Sequence, residues 1–549
     1  MKRICKILLI VFFALCPLMH FLPAHAAGNT VYVDSDSPGV QDGLTWNTAW
    51  HTIQQAVNDA NFSGSGNTII VAAGTYNEQV TLTSANAGAD GAPNTIMAKP
   101  GDTPIVDANG IVNGVGFILG WNLGGANYIT IDGFEIINGS WYGNVFAYKS
   151  SNVIVQNNIV HHNTYGGSGI YLTRCDNAQA INNTVYDIPN IAPGNAGYGI
   201  YHQNSMNVVA RNNIVFDVGG SGIEFECANT TVPNDYGLAE NNIVYNTRIA
   251  FNNNNVNHTT IRNNIFYNST YGIVLNNYFN FPARLVQYNT ISNNTIYKIT
   301  GVDVAVGAIT LIAQFGGDQS VYGNTISNNL IYESDYALRV DGMNDGSARA
   351  TNNTFVNNTA DNNTYGYYAA GYAENNIIKN NIFTNGDNGI TVGANSLPLS
   401  ANYNNVYNNT ASYSGLTAGA NDYNADPLFI DSVNHNFRLK STAGSYQNGL
   451  WIADTTSSSL IDSGDPTSDY SNEPSFNGGR INLGYEGNTI YASKTYVAPA
   501  TPADVVAETA RVVLPNTGPL KYLNYYLLAL LFLIMYYFIS KLKQINYYR

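Results

Sequence analysis

The sequence predicts an all-β chain wound as a right-handed parallel β-helix. Two recurring patterns carry this prediction. An Asn-Asn pair followed by apolar residues returns at 157/158, 182/183, 212/213, 241/242, 263/264, 293/294, 328/329, 352/353, 380/381 and 404/405, at intervals of 22 to 35 residues. A motif kept while its spacing varies is the mark of a solenoid whose loops grow outward on one side. A second marker follows each pair at a loose distance: Gly169-Ile170, Gly199-Ile200, Gly222-Ile223, Gly272-Ile273 and Gly389-Ile390, with Ala308-Ile309 and Ala337-Leu338 as variants. Both markers open short β-branched or aromatic runs, which excludes the helical repeat architectures.

The elements follow in chain order. Lys2, Arg3 and Lys6 precede an apolar run and Ala24-His25-Ala26-Ala27, so residues 1–27 read as a secretory signal peptide. Residues 28–125 form an N-terminal cap and the first coils; within them 50–57, with Ala60 beyond, has the apolar spacing of an amphipathic helix. Residues 126–410 are the coil repeats and 411–492 the C-terminal coils and cap. An aperiodic linker rich in Ala, Pro, Thr and Val covers 493–513. Leu514-Pro515-Asn516-Thr517-Gly518 then stands before a membrane segment and basic tail, 519–549, ending in Lys541, Lys543 and Arg549. Its apolar part, at about 1.5 Å per residue, spans about 27 Å of a bilayer core of about 30 Å, as a transmembrane helix does, with the basic end cytoplasmic.

In a stacked solenoid, equivalent residues form columns about 4.8 Å apart. A buried Asn at a bend can bond its side-chain amide to the next Asn in its column, satisfying groups that a dry interior penalises. The second residue after each pair (Val160, Val185, Val215, Val244, Phe266, Ile296, Ile331, Phe355, Phe383) is always apolar, so it is assigned inward and its neighbours outward.

Charge and cysteine content narrow the partners. The leader and the tail after Thr517 hold seven of the 23 Lys and Arg and none of the 37 Asp and Glu, so sixteen cations face 37 acids between them, a formal charge of −21. Such a body repels nucleic acid and anionic lipid. Cys5 and Cys16 leave with the leader, and Cys175 and Cys227, two coils apart, are too distant to pair. No disulfide framework supports the fold.

The helical stretch from Trp50, the strand ending Gly74-Thr75-Tyr76, and the closing series Asp426-Pro427-Leu428-Phe429, Phe437-Arg438-Leu439, Ile461-Asp462-Ser463-Gly464-Asp465 and Gly478-Gly479-Arg480-Ile481-Asn482-Leu483-Gly484 together resemble the pectin lyase-like right-handed β-helix superfamily, over roughly residues 30 to 490. That resemblance implies an extracellular polysaccharide as partner, but no single reaction, since lyases, hydrolases, epimerases and adhesins share the fold. The Asp-Asp pair of polygalacturonases and the Arg motif of pectate lyases are absent. Leu514 to Gly518, with the apolar segment and basic tail, resembles the sortase sorting signal of Gram-positive surface proteins. It implies cleavage after Thr517, transfer to peptidoglycan, and a cell-wall location, with the membrane as anchor before sorting.

Three sets of residues are candidates for chemistry. Glu224 and Glu226, two apart on one strand, point the same way about 6 to 7 Å apart, a spacing for Ca²⁺ or for acid and base on a glycosidic bond. Tyr201 lies one coil before them; His202, inward by parity, could serve as a proton carrier, and Arg211, Arg174 or Tyr201 as the base of a lyase. The third residue after each pair, from His161 through Tyr186, Phe216, Tyr245, Tyr267, Tyr297 and Tyr332, forms an aromatic column on which sugar rings could stack or which stabilises neighbouring strands. Asp187 and Asp217 follow in adjacent coils, where two close carboxylates either hold a cation, Ca²⁺ being the one ion these acids suggest, or share a proton. His161-His162 is not assigned as a metal pair, because adjacent strand residues face opposite sides. Two functions stand open: a wall-anchored protein that binds extracellular polysaccharide, with its cleavage by lysis or hydrolysis left open, and a non-catalytic adhesin or structural surface protein.

Overall fold

The computed structural model describes residues 28–495 except 122–123, 141, 191–196, 229–234, 279–284, 302–306, 316 and 476. The leader, the Leu514–Gly518 motif and the apolar C-terminal segment lie outside the described residues. Among the described residues no helix is long and apolar enough to cross a membrane.

The body is all-β, its strands parallel in long sheets, as in a right-handed β-helix. A 14-stranded sheet runs from Thr30–Val33 to Ser400–Asn402. The other two walls belong to one 24-stranded sheet, joined where the long strands Ile214–Glu226 and Ile243–Asn254 bend from one wall into the next. Each wall turns apolar side chains inward in register. Along the first these include Val155, Ala180, Ala210, Ala239, Ile261, Ile291, Ile326, Phe355 and Ile378. Along the second they include Val160, Val185, Val215, Val244, Phe266, Ile296 and Ile331, and along the third Ile170, Ile200, Ile223, Phe251, Ile273, Ile309 and Leu338. All are 0% exposed, one continuous core.

Asn makes the corner between the first and second walls. The first Asn of each pair turns the chain in the left-handed region, with φ of 57° at Asn157, 57° at Asn182 and 56° at Asn212, a conformation that Asn tolerates better than other residues with a Cβ. The second Asn points inward and joins a ladder. From Asn158 through Asn183, Asn213, Asn242, Asn264, Asn294, Asn329, Asn358 and Asn381 to Asn404, each Nδ2 donates to the next Oδ1 at 2.9–3.1 Å. The same Oδ1 atoms accept the backbone N–H of the previous rung, so the amide column leaves few orphans in a dry corner. The ladder ends on Asp422 Oδ1, which accepts from the Asn404 N–H at 2.7 Å.

Two of the ten pairs stand elsewhere than the spacing suggests. Asn353 belongs to a second ladder at another corner, Asn289–Asn324–Asn353–Asn376, while Asn357 and Asn358 occupy the place expected of 352/353. At the last coil the bend residue is Tyr403 and the rung Asn404, one position earlier than in the other pairs.

The expected N-terminal helix is shorter than its apolar pattern: Ile53–Val57, with a Thr52/Gln55 capping box, and its first two N–H groups held by the Glu78 carboxylate at 2.7 and 2.9 Å. It buries Ile53, Ala56 and Val57. The closing segment differs from a simple end cap. It folds back along the flank of earlier coils: Asn328 Nδ2 donates to the carbonyls of Tyr485 and Gly487, Asn357 Nδ2 to those of Asn482 and Gly484, and Lys379 pairs with Asp465 at 2.9 Å. The left-handed Asn column offers unpaired amides on this flank, and the segment takes them up.

Candidate functional site

The third wall presents its outward residues in two columns. In register these are Phe146, Tyr171, Tyr201, Glu224, Asn252 and Val274, and beside them Tyr148, Thr173, Gln203, Glu226, Asn254 and Asn276. The structure thus brings Tyr201, Glu224 and Glu226 together. Tyr201 Oη donates to Glu226 Oε1 at 2.5 Å, Gln203 Nε2 donates to the same oxygen at 2.7 Å, and Asn254 Nδ2 donates to Glu226 Oε2 at 3.2 Å. Three donors on two oxygens suit an acceptor-only carboxylate.

Glu224 lies beside it, and the two carboxyls hydrogen-bond each other. That contact replaces the 6 to 7 Å separation expected from strand spacing. The pair is not solvated either, since Glu224 is 3% and Glu226 6% exposed. Burial first, and the Glu226 charge second, push the Glu224 carboxyl well above the usual range, so it is held as the acid that bonds to its neighbour. Burial and both glutamates likewise hold the Tyr201 hydroxyl protonated.

Upstream the face is aromatic. Tyr171 stacks on Tyr201 at 4.8 Å and 7°, Tyr198 on Tyr201 at 4.4 Å, and Phe146 on Tyr142 at 4.8 Å, with Trp121 against Tyr142 and Tyr148. Trp121, Tyr142, Tyr148, Tyr171, Tyr198 and Gln203 stay half-buried, which gives the patch its accessible rim. Arg174 Nη1 donates to Tyr148 Oη at 3.3 Å there. Sequence reasoning missed the first half of this patch because its strand, Val145–Tyr148, opens with Asn144-Val145 in place of the Gly-Ile marker. The signal was present: Val145-Phe146-Ala147-Tyr148 aligns with Ile170-Tyr171-Leu172-Thr173.

His202 and Arg211 do not join the site. His202 faces inward, 0% exposed, edge-on to Phe225 at 5.3 Å with both ring nitrogens unpartnered, and burial pulls its pKa to about 3. A neutral imidazole sealed in the core carries no proton to Glu224. Arg211 sits on the first wall, its Nε 2.5 Å from Glu240 Oε1, and Arg262 holds the other oxygen at 2.7 Å. Asp187 and Asp217 occupy successive bends, yet each is satisfied away from the other: Asp187 by His162 at 3.2 Å in the coil before, Asp217 by Asn246 Nδ2 at 3.0 Å in the coil after. Among the described residues no three His, Cys, Asp or Glu side chains converge as metal ligands.

The aromatic column forms without a break. Rings of His161, Tyr186, Phe216, Tyr245, Tyr267, Tyr297 and Tyr332 stack at 4.6–5.0 Å and at most 11° from parallel, and His435 closes the row on Tyr332 at 4.4 Å. Each inner ring has both faces covered by its neighbours, so the column turns edges to solvent. Sugar C–H groups dock on ring faces, which here are taken.

Residues 43–235 and 116–285 match the family model described as "Right handed beta helix region", and 256–464 the one described as "Disaggregatase related". No curated protein sequence matches the chain. Solved structures of similar fold include the catalytic unit of a GH87 α-1,3-glucanase from Streptomyces thermodiastaticus, at 15% identity and a TM-score of 0.48 over 68% of this chain and 66% of that one. A PL6 family alginate lyase, AlyGC, is 15% identical with a TM-score of 0.46 over 73% and 54% of the two chains. PfbA, a surface adhesin of Streptococcus pneumoniae, is 16% identical with a TM-score of 0.41 over 78% and 98%.

Proposed function

We propose that this protein is an exported, wall-anchored solenoid that binds extracellular polysaccharide on its third wall, from Trp121 to Asn276. The observation that carries this reading is the patch itself. Half-buried aromatic rings lead along one flat sheet face into the amide and carboxyl groups of Gln203, Glu226, Asn252, Asn254 and Asn276. A glycan offers apolar ring faces and hydroxyls in the same alternation, and Tyr and Trp serve both. The leader and the Leu514–Gly518 motif supply the export and the anchor.

Binding without cleavage fits the carboxyls better than catalysis does. Glycosidases hold their two acids about 5–5.5 Å or 6.5–9.5 Å apart to admit a nucleophile or a water, whereas Glu224 and Glu226 bond directly to each other. The test is a glycan array read for both binding and product release, with wild type, Tyr171→Ala and the Glu224→Gln/Glu226→Gln double variant. Binding without product, weakened in Tyr171→Ala, is expected. Product release that vanishes in the double variant establishes an enzyme instead, and absence of any glycan binding overturns the proposal.

A further inference from the structure

The aromatic column of the second wall ends where its next member is an acid. Tyr332 pairs in register with Asp361, and Asp361 with Thr384, so the two coils after Tyr332 carry no ring at this place. The closing segment fills part of the gap: Phe429–Asp431 and Asn436–Leu439 pair as a hairpin, and His435 between them lies over Tyr332. What stays open is a cleft of about 290 Å³ between this hairpin and the bends at Glu333, Asn362 and Asn385, which have φ of 53°, 53° and 58°.

Asp361 lines the cleft although it is only 8% exposed. Its Oδ1 accepts from Asn385 Nδ2 at 2.7 Å, while Oδ2 has no donor among the described residues. The hydroxyl of Thr384, 2% exposed and next in the column, is unpartnered as well. A buried carboxylate with one bare oxygen is costly unless something supplies the missing donor. Burial accordingly raises the Asp361 carboxyl to about 6, with the Asn385 bond pulling the other way and the Glu333 charge adding to the rise. Glu333 stands at the rim of the same cleft, its side chain 33% exposed and 4.0 Å from Lys298 Nζ.

We propose that this cleft is a second ligand site, which takes one amino-sugar residue with its ammonium between the Asp361 and Glu333 carboxyls. Two carboxyls with no Lys or Arg in the lining call for a positive group. Among the described residues no three His, Cys, Asp or Glu side chains converge as metal ligands, so the group is an organic ammonium, which brings three donors on one charge and satisfies Asp361 Oδ2. The Asn362 amide and the Ser432 hydroxyl beside the acids suit sugar hydroxyls. The volume lies at the small end of ligand pockets, about 300–1,000 Å³, which fits a single residue of a glycan. The cleft lies on the second wall, apart from the third-wall patch, and neither needs the other.

The experiment titrates the full-length protein by calorimetry with a glucosamine tetramer, with its fully N-acetylated form and with a lysine tripeptide, at a pH where the amines are protonated. Asp361→Asn is the decisive variant, because its Oδ1 still accepts from Asn385 while the charge is gone. Expected is binding of the glucosamine tetramer that falls at least tenfold on N-acetylation, at least tenfold in Asp361→Asn and several-fold in Glu333→Gln, with no change in Asp90→Asn, an exposed acid in the first coils. Equal affinity for the two tetramers, tighter binding of the lysine peptide, or no binding by wild type overturns the site. Full binding by Asp361→Asn with loss in Tyr171→Ala also overturns it and places the tetramer on the third wall.

Discussion

Glu224 shows how burial, with a second carboxylate beside it, turns a common side chain into a proton store. Its folded carboxyl stays protonated at a pH where the unfolded chain ionises it. The stability linked to it is therefore intact below the ordinary carboxylate range and drains as pH climbs toward its raised folded value, at up to about 1.4 kcal/mol per pH unit. Glu224→Gln cannot ionise, so its melting temperature should gain on wild type as pH goes from about 4 to about 8; a constant gap in thermal melts would mean that Glu224 is charged in the fold. Glu226 could be paired with Tyr201 and Glu224 from sequence, because the Gly-Ile marker set the register. The inward His202 followed from the same parity. The meeting of the His161 and His162 rings, centroids 4.6 Å apart, did not, because one positive φ, 54° at His162 and invisible in the residue string, cancels the alternation on which the rule rests.

At the scale of elements, the two Asn columns do different work and should fail differently. Asn242→Ala removes the acceptor of the Asn213 N–H and Nδ2 and the donor to the Ala210 carbonyl. With about 1–3 kcal/mol for each buried group left unpaired, the loss should reach about 3 kcal/mol or more in urea unfolding. The side chain of Asn212, exposed at φ 56°, donates along the surface to Asn182; Asn212→Ala should cost about 1–2 kcal/mol through the left-handed backbone, and Asn212→Gly less. The aromatic row is a spine by the same reasoning. Tyr245 has Phe216 at 5.0 Å on one face and Tyr267 at 4.7 Å on the other, so Tyr245→Ala should lose about 1–3 kcal/mol of stacking and leave glycan binding intact. A fall in binding would return the column to the ligand.

The described coils form a stack in which each leans on its neighbours, so hydrogen exchange should be slowest in the central coils and fastest at Thr30–Val33, the first described strand. Anchoring is tested at the same scale: Thr517→Ala should move the protein from the wall fraction to the membrane fraction of fractionated cells, and unchanged wall attachment would refute the sorting reading. The sequence by itself determined the solenoid, its inward columns and the main ladder, because a strand's alternation and an Asn corner are local rules repeated ten times over. Tertiary structure alone decided the rest. Coil lengths of 22 to 35 residues along the ladder hide which Asn stacks on which, so 352/353 passed for a rung of the wrong column. Whether outward carboxyls meet water or each other depends on side-chain convergence and cover that no spacing records. The return of residues 482–487 along Asn328 and Asn357 joins positions 125 to 159 apart, a contact fixed only once the coils beneath have been stacked.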